Sequence, residues 1–267
     1  MKKNQRYECV FSRKNNVLNY IVILTLCVML VFSLQPTISN IMLINTQINY
    51  SKYLRMLEEK KDKEGFNSLY SINPDLLAWI KIEDIDLSVP IVKTNIKQDE
   101  DFYLNHGFDK KENSLGCPYQ AYNYDLYSNH TLFIGHSSYT MSVFGNTSNV
   151  SLFGKLNDYT IKKANYNYNL TLQTDKTTYF YKIIGVFYFK ITNTNSMEYK
   201  EILNNVYSVT NFNNQSDLDN YISCIEKYSI LDKEINATLD DQFLTLFTCY
   251  YDLDYRTMVI AQKVNNI

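Results

Sequence analysis

Thr245-Leu246-Phe247-Thr248-Cys249 sets a cysteine at the end of an apolar, β-prone run, and Arg256 follows seven residues later. A thiolate is the strongest ordinary nucleophile a protein carries. A guanidinium is a permanent cation that can hold a carbonyl oxygen while charge develops on it. Acyl transfer through a thioester is the chemistry such a pair could do, given a base. Three histidines compete for that part: His106, His130 and His136. Any one of them taken alone is more often structural than catalytic. His136 ends the run Leu132-Phe133-Ile134-Gly135-His136, which delivers its imidazole to a strand end, where barrels tend to keep their sites. His130 follows Ser128-Asn129 in a turn, and His106 sits in the loop Tyr103-Leu104-Asn105-His106-Gly107. His136 lies 113 residues before Cys249, so only the fold could join them.

The elements that must do the joining begin with an apolar N-terminus. Residues 1–16 carry Lys2, Lys3, Arg6, Arg13 and Lys14 against Glu8. Val17 to Leu34 then runs 18 residues without a charge. As a helix that is about 27 Å, close to a bilayer's hydrocarbon core. A basic flank stays inside, so residues after about 35 should face the outside. Thr37-Ile38-Ser39 offers a small-x-small cleavage site, and a removed signal peptide is the alternative reading. The length of the apolar run favours a retained anchor at 17–35. Ile41, Ile44, Ile48, Tyr53, Leu54 and Leu57 have near-helical spacing. They predict a juxtamembrane amphipathic helix within 36–70, ending at Gly65. The charge run from Glu58 to Glu64 reads as a solvated face of that spacer.

Residues 71–267 form the remaining, extracellular domain. Candidate strands are Leu76–Ile82, Leu87–Lys93, Tyr119–Tyr124, Thr131–His136, Asn167–Thr174, Thr177–Val186, Phe243–Cys249 and Thr257–Lys263. They are short and rich in β-branched and aromatic residues. Helices are expected within Ser142–Leu156 and over Ser216–Leu231, the second capped by Ser216. So many short strands with few helices predict a mostly β fold, a closed or nearly closed barrel.

The net charge of −2, with a basic N-terminus, leaves the outer part acidic, which argues against nucleic acid. Of the five cysteines, Cys117, Cys224 and Cys249 would lie outside, an odd number. A Cys117–Cys224 disulfide cannot be read from sequence. No CxxC pair or Cys/His cluster has zinc spacing, so neither a metal nor another cofactor is expected.

Several stretches together resemble the sortases, class B in particular. They are Asn73-Pro74-Asp75-Leu76-Leu77-Ala78-Trp79-Ile80, Val89-Pro90-Ile91-Val92, Phe102 to Asp109, Asn113-Ser114-Leu115-Gly116, Phe133-Ile134-Gly135-His136, Ser151-Leu152-Phe153-Gly154-Lys155-Leu156 and Thr245 to Cys249. They are collinear and cover about residues 70–265. The resemblance implies an eight-stranded barrel and a catalytic set of Cys249, His136 and Arg256. It implies a membrane-anchored transpeptidase that cleaves a C-terminal sorting signal after Thr and passes the acyl group to a peptidoglycan precursor amine. Surface proteins with an Asn-Pro-(Gln/Lys)-Thr-(Asn/Ser)-like signal would be its clients. Leu246, Phe247 and Thr248 are candidate substrate-binding residues. Two departures stand out: Phe247 where the family has a small polar residue, and Ser137 where members often have Asn. Phe247 could line the groove or pack in the core. A secreted cysteine protease and a non-catalytic surface-binding barrel are the rival readings.

Overall fold

The computed structural model describes residues 2–93, 99–137, 139–141, 147–149, 152–161, 169–249 and 254–264. It opens on one long helix, α1 (Lys2–Glu64), which runs through Pro36. The apolar stretch and the amphipathic stretch are therefore one continuous helix, with no break between anchor and spacer. A proline inside a helix removes one backbone hydrogen bond, and α1 tolerates that loss. Its side chains from Tyr20 to Leu34 are exposed and apolar. This is a helix long and apolar enough to cross a membrane.

The last turns of α1 depart from the expected solvated spacer. Tyr50, Leu54, Leu57 and Lys61 are buried along one stripe. The three apolar side chains join the main core of the barrel. Burying one leucine side chain is worth roughly 1.5–3 kcal/mol, so this stripe makes α1 part of the folded domain. The charge run is only half a wet face. Lys60–Glu64 and Lys63–Glu59 pair along the solvent side. Glu58 instead accepts a hydrogen bond from Ser88 Oγ (2.7 Å), which itself accepts from Trp79 Nε1 (2.9 Å). Lys61 Nζ donates to Gln173 Oε1 (2.9 Å) and lies over the Trp79 ring. Gly65, at φ +87°, ends the helix in a backbone region that other residues avoid.

The barrel strands are β1 (Leu76–Ile82), β2 (Leu87–Val92), β3 (Tyr119–Gln120), β4 (His130–Ile134), β7 (Asn169–Gln173), β8 (Thr178–Lys190), β9 (Phe243–Cys249) and β10 (Tyr255–Val264). They close in the order β1-β2-β3-β4-β9-β10-β8-β7. Eight strands enclose an interior that side chains fill. Two pairings are parallel, β2 with β3 and β4 with β9. Beyond Gln120 the chain turns at Ala121–Tyr124 rather than continuing as strand. β8 is longer than expected, since Phe187–Lys190 pairs with the start of β10.

The helix expected within Ser142–Leu156 is not what the described residues form. A short hairpin, β5 (Tyr139–Met141) and β6 (Thr147–Asn149), stands there. A 3-10 turn (Phe153–Asn157) then leads into α2 (Asp158–Ile161). Phe153 and Leu156 are both fully buried in the turn. Also not expected were α3 (Met197–Ile202) and the π turn that follows it, Leu203–Tyr207. The second expected helix is α4 (Gln215–Tyr228), and its cap is Asn214, whose Oδ1 accepts from Asp217 N–H at 3.1 Å. These helices cover the outer face of β8, β9 and β10 with a second apolar cluster, which includes Phe187, Phe189, Tyr221, Phe243, Met258 and Ile260. Cys117 and Cys224 are free, buried thiols in separate clusters.

Candidate active site

Strand alternation sorts the residues of β9. Leu244 and Leu246 point into the main core, whereas Phe243 and Phe247 belong to the outer cluster under the helices. Cys249 follows Phe247 by two, so its thiol takes the outer face. It is half-buried and unpaired.

The parallel ladder carries His136 to the same level. Every pair from His130↔Phe243 to Ile134↔Phe247 has one constant offset, 113 residues. The same 113 separates His136 from Cys249. Two bonds extend the register past the end of β4: Gly135 N–H donates to the Phe247 carbonyl (3.1 Å), and Thr248 Oγ1 donates to the Gly135 carbonyl (2.8 Å). On the other side, Arg256 is the antiparallel partner of Cys249. His136, Cys249 and Arg256 therefore form one row across β4, β9 and β10. Neighbours in such a row share a face and lie about 5 Å apart at the backbone. Residues 250–253, which connect β9 to β10, lie outside the described residues.

Each member of the row is steadied. The His136 imidazole is half-buried and donates to the Leu104 carbonyl. Burial lowers its pKa below the usual histidine value, and the Leu104 bond opposes that shift. The imidazole is thus largely neutral near pH 7. Arg256 Nη1 donates to the Tyr255 carbonyl at 2.9 Å, and its strand partner on β8 is the buried Phe189.

Of the three candidate substrate-binding residues, only Phe247 shares the face of Cys249. Leu246 and Thr248 project into the barrel and are fully buried, so they cannot touch a bound peptide directly. Phe247 is half-buried at the margin of the outer cluster, edge-on to Tyr207 with ring centroids 5.3 Å apart. It packs against the π turn on the thiol's side of the sheet. Ser137 points the opposite way from His136, is buried, and meets Asn157 Nδ2 at 3.2 Å. It does not open onto the thiol's face.

The other two histidines are structural. His106 stacks on Phe102 (3.8 Å, 6°) and bonds its own turn through Nδ1 to the Phe102 carbonyl. His130 is fully buried, with Nδ1 at 2.6 Å from the Val209 carbonyl and Nε2 at 2.8 Å from Thr245 Oγ1. Nδ1 must donate to the carbonyl, and because burial keeps the ring neutral, Nε2 accepts from the Thr245 hydroxyl. The ring ties β9 to the segment after the π turn. Burial pushes its pKa down to about 4. The unfolded chain takes up a proton near pH 6.5, while the folded chain resists until about pH 4. Stability is therefore full above pH 6.5 and falls by about 3 kcal/mol as pH drops through that window. Urea titrations read from Trp79 fluorescence should show this slope in the full chain and a flatter one in His130→Asn.

Among the described residues no three His, Cys, Asp or Glu gather as a metal site.

No family model matches the chain. Sortase B of Staphylococcus aureus is 25% identical over 263 residues, covering 94% of this chain and 98% of the relative. Among solved structures, Clostridium perfringens sortase B superposes with a TM-score of 0.59 at 26% identity, over 74% of this chain and 99% of that one. The chain is similar to class B sortases over most of its length. Its closed barrel of eight strands is the fold of those enzymes, which are cysteine transpeptidases. A Staphylococcus aureus sortase B–substrate complex shares the fold (TM-score 0.58, 21% identity, 83% and 94% covered), as does a sortase B complexed with triglycine (TM-score 0.60, 21% identity, 82% and 97% covered).

Proposed function

We propose that this chain is a sortase held in the cell membrane by residues 17–34, with its N-terminus in the cytoplasm and its barrel outside. There it would join surface proteins to a cell-wall amine through Cys249. The row of His136, Cys249 and Arg256 across three adjacent strands carries this reading. The neutral His136 imidazole takes the proton of the Cys249 thiol, and the resulting thiolate attacks the carbonyl after the threonine of a sorting signal. The Arg256 guanidinium and nearby backbone N–H groups stabilise the oxyanion. The C–N bond breaks, and the leaving amine takes a proton from the His136 imidazolium. A thioester on Cys249 remains. The amine of a peptidoglycan precursor then attacks this thioester and gives a proton to the neutral imidazole. A new C–N bond forms as the thiolate leaves. One group serves as acid and then base.

The exposed apolar surface of Tyr20–Leu34 supports the anchor. The substrate and triglycine complexes of related sortases support a peptide signal and an amine acceptor in general terms. An Asn-Pro-(Gln/Lys)-Thr-(Asn/Ser)-like signal is the substrate inferred, with Phe247 as the residue where its preference should differ. The test is to incubate the full chain with such a peptide at rising triglycine concentration. Transfer predicts a ligated product that replaces the free acid as amine saturates. Free acid alone at saturating amine would instead mark a protease.

A further inference from the structure

Asn157 ends the 3-10 turn Phe153–Asn157, beneath the barrel mouth and on the opposite side of the sheet from the thiol. The turn is wedged against the strands. A Cβ on Gly135 would meet the Phe153 ring at 2.6 Å, which explains why glycine precedes His136. The Asn157 side chain is fully buried and spends its polar atoms on three segments. Its Nδ2 donates to Ser137 Oγ (3.2 Å) and to the Cys249 carbonyl (3.2 Å). Its Oδ1 accepts from Thr257 Oγ1 (2.6 Å). Ser137 follows His136, Cys249 is itself in the row, and Thr257 follows Arg256. One amide therefore grips the backbone of β9 and the neighbours of both flanking residues.

We propose that Asn157 is a positioning residue that holds His136, Cys249 and Arg256 in register at the open end of the barrel. It touches no substrate and works through the three strand ends. Those ends need such a grip. The parallel β4–β9 ladder finishes at Ile134↔Phe247, two residues short of the row. Beyond that point Thr248 and Asn157 supply the side-chain bonds seen among the described residues that join the β4 end to β9. An amide is suited to the place because it donates twice and accepts once at a single buried point. A buried group left with broken partners is costly, so the loss of Asn157 should loosen all three ends together.

The inference rests on the transpeptidase reading of the row, and the experiment separates the two. Asn157→Leu is close in shape and removes all three bonds. In the folded full chain, kcat should fall about 100-fold, the effect of roughly 1 Å of misplacement. KM for the sorting peptide should stay near its original value. The pH profile of Cys249 alkylation should also shift, since the thiol's relation to His136 and Arg256 changes. Wild-type kcat with an unaltered alkylation profile would overturn the proposal, whatever the change in Tm. Should Asn157→Leu not fold, Thr257→Val and Ser137→Ala each remove one bond, and the same two readouts decide. Cys249→Ala is the control. If it stays active, the reading of the row itself fails. If it is dead while the Asn157 variant is unaffected, the positioning role alone fails.

Discussion

Cys249→Ala should leave a folded protein whose kcat/KM for a sorting peptide is lower by about 10⁴-fold or more. The thiol is half-buried at a strand end, with His136 and Arg256 as its lateral neighbours. The other two thiols of the barrel domain are no substitutes. Cys117 is buried beside Tyr50, and burial pushes its pKa far up. Cys224 is on the buried face of α4, with its pKa raised by the same cause. Neither forms a thiolate readily, and the thiolate is the nucleophile. A charged methanethiosulfonate should therefore modify the Cys249 peptide much faster than those of Cys117 and Cys224, as mapped by mass spectrometry. Activity that survives in Cys249→Ala, or labelling that ignores Cys249, would sink the catalytic assignment. Alanine removes no core contact, so an unfolded variant is not expected, and circular dichroism checks this.

Replacing His136 by alanine should lower the rate by about 10²- to 10⁴-fold, the usual worth of a general acid–base group. Both half-reactions should suffer, but pH tells them apart. Burial lowers the imidazole pKa, so the ring stays neutral to below pH 6.5. Neutral imidazole can take the proton of the incoming amine; imidazolium cannot. Aminolysis of a preformed thioester by triglycine should therefore hold its rate down to a midpoint under pH 6.5, then decline. In His136→Ala that limb should vanish, because no ring is left to protonate. A limb that persists unchanged in the variant would assign the proton transfer to another group.

Much of this architecture was legible because its signals are local. Alternating and β-branched residues marked the eight barrel strands, and Phe243–Cys249 was bounded correctly at both ends. His136 and Cys249 could be named from their strand-end settings. Their meeting could not, since the constant 113-residue offset exists only once β4 and β9 are paired. Asn157 went unnoticed for the same reason, and His130 was placed in a turn when it opens β4. An asparagine after a leucine, or a histidine after an asparagine, carries no local mark of three tertiary bonds or a buried ring. The docking of α1 was missed because Glu58 and Lys61 look like solvent residues. Their partners, Ser88 and Gln173, are distant in sequence. The 3-10 turn Phe153–Asn157 stands at the end of the stretch expected to hold a helix, since two buried apolar residues three apart fit either form.

The docking of α1 also bears on how far the enzyme can search. Leu43 already packs on the main core, only nine residues beyond Leu34. As helix, that is about 14 Å. With residues 17–34 in the bilayer, as proposed, the barrel has no flexible tether on which to swing outward. It can spin about the stem and drift in the membrane plane, but it cannot rise. A client must then bring its signal down to the enzyme, close above the lipid, before it has diffused away. Inserting a flexible glycine–serine stretch ahead of Leu43 would lengthen that reach, and the set of proteins it could capture would widen accordingly.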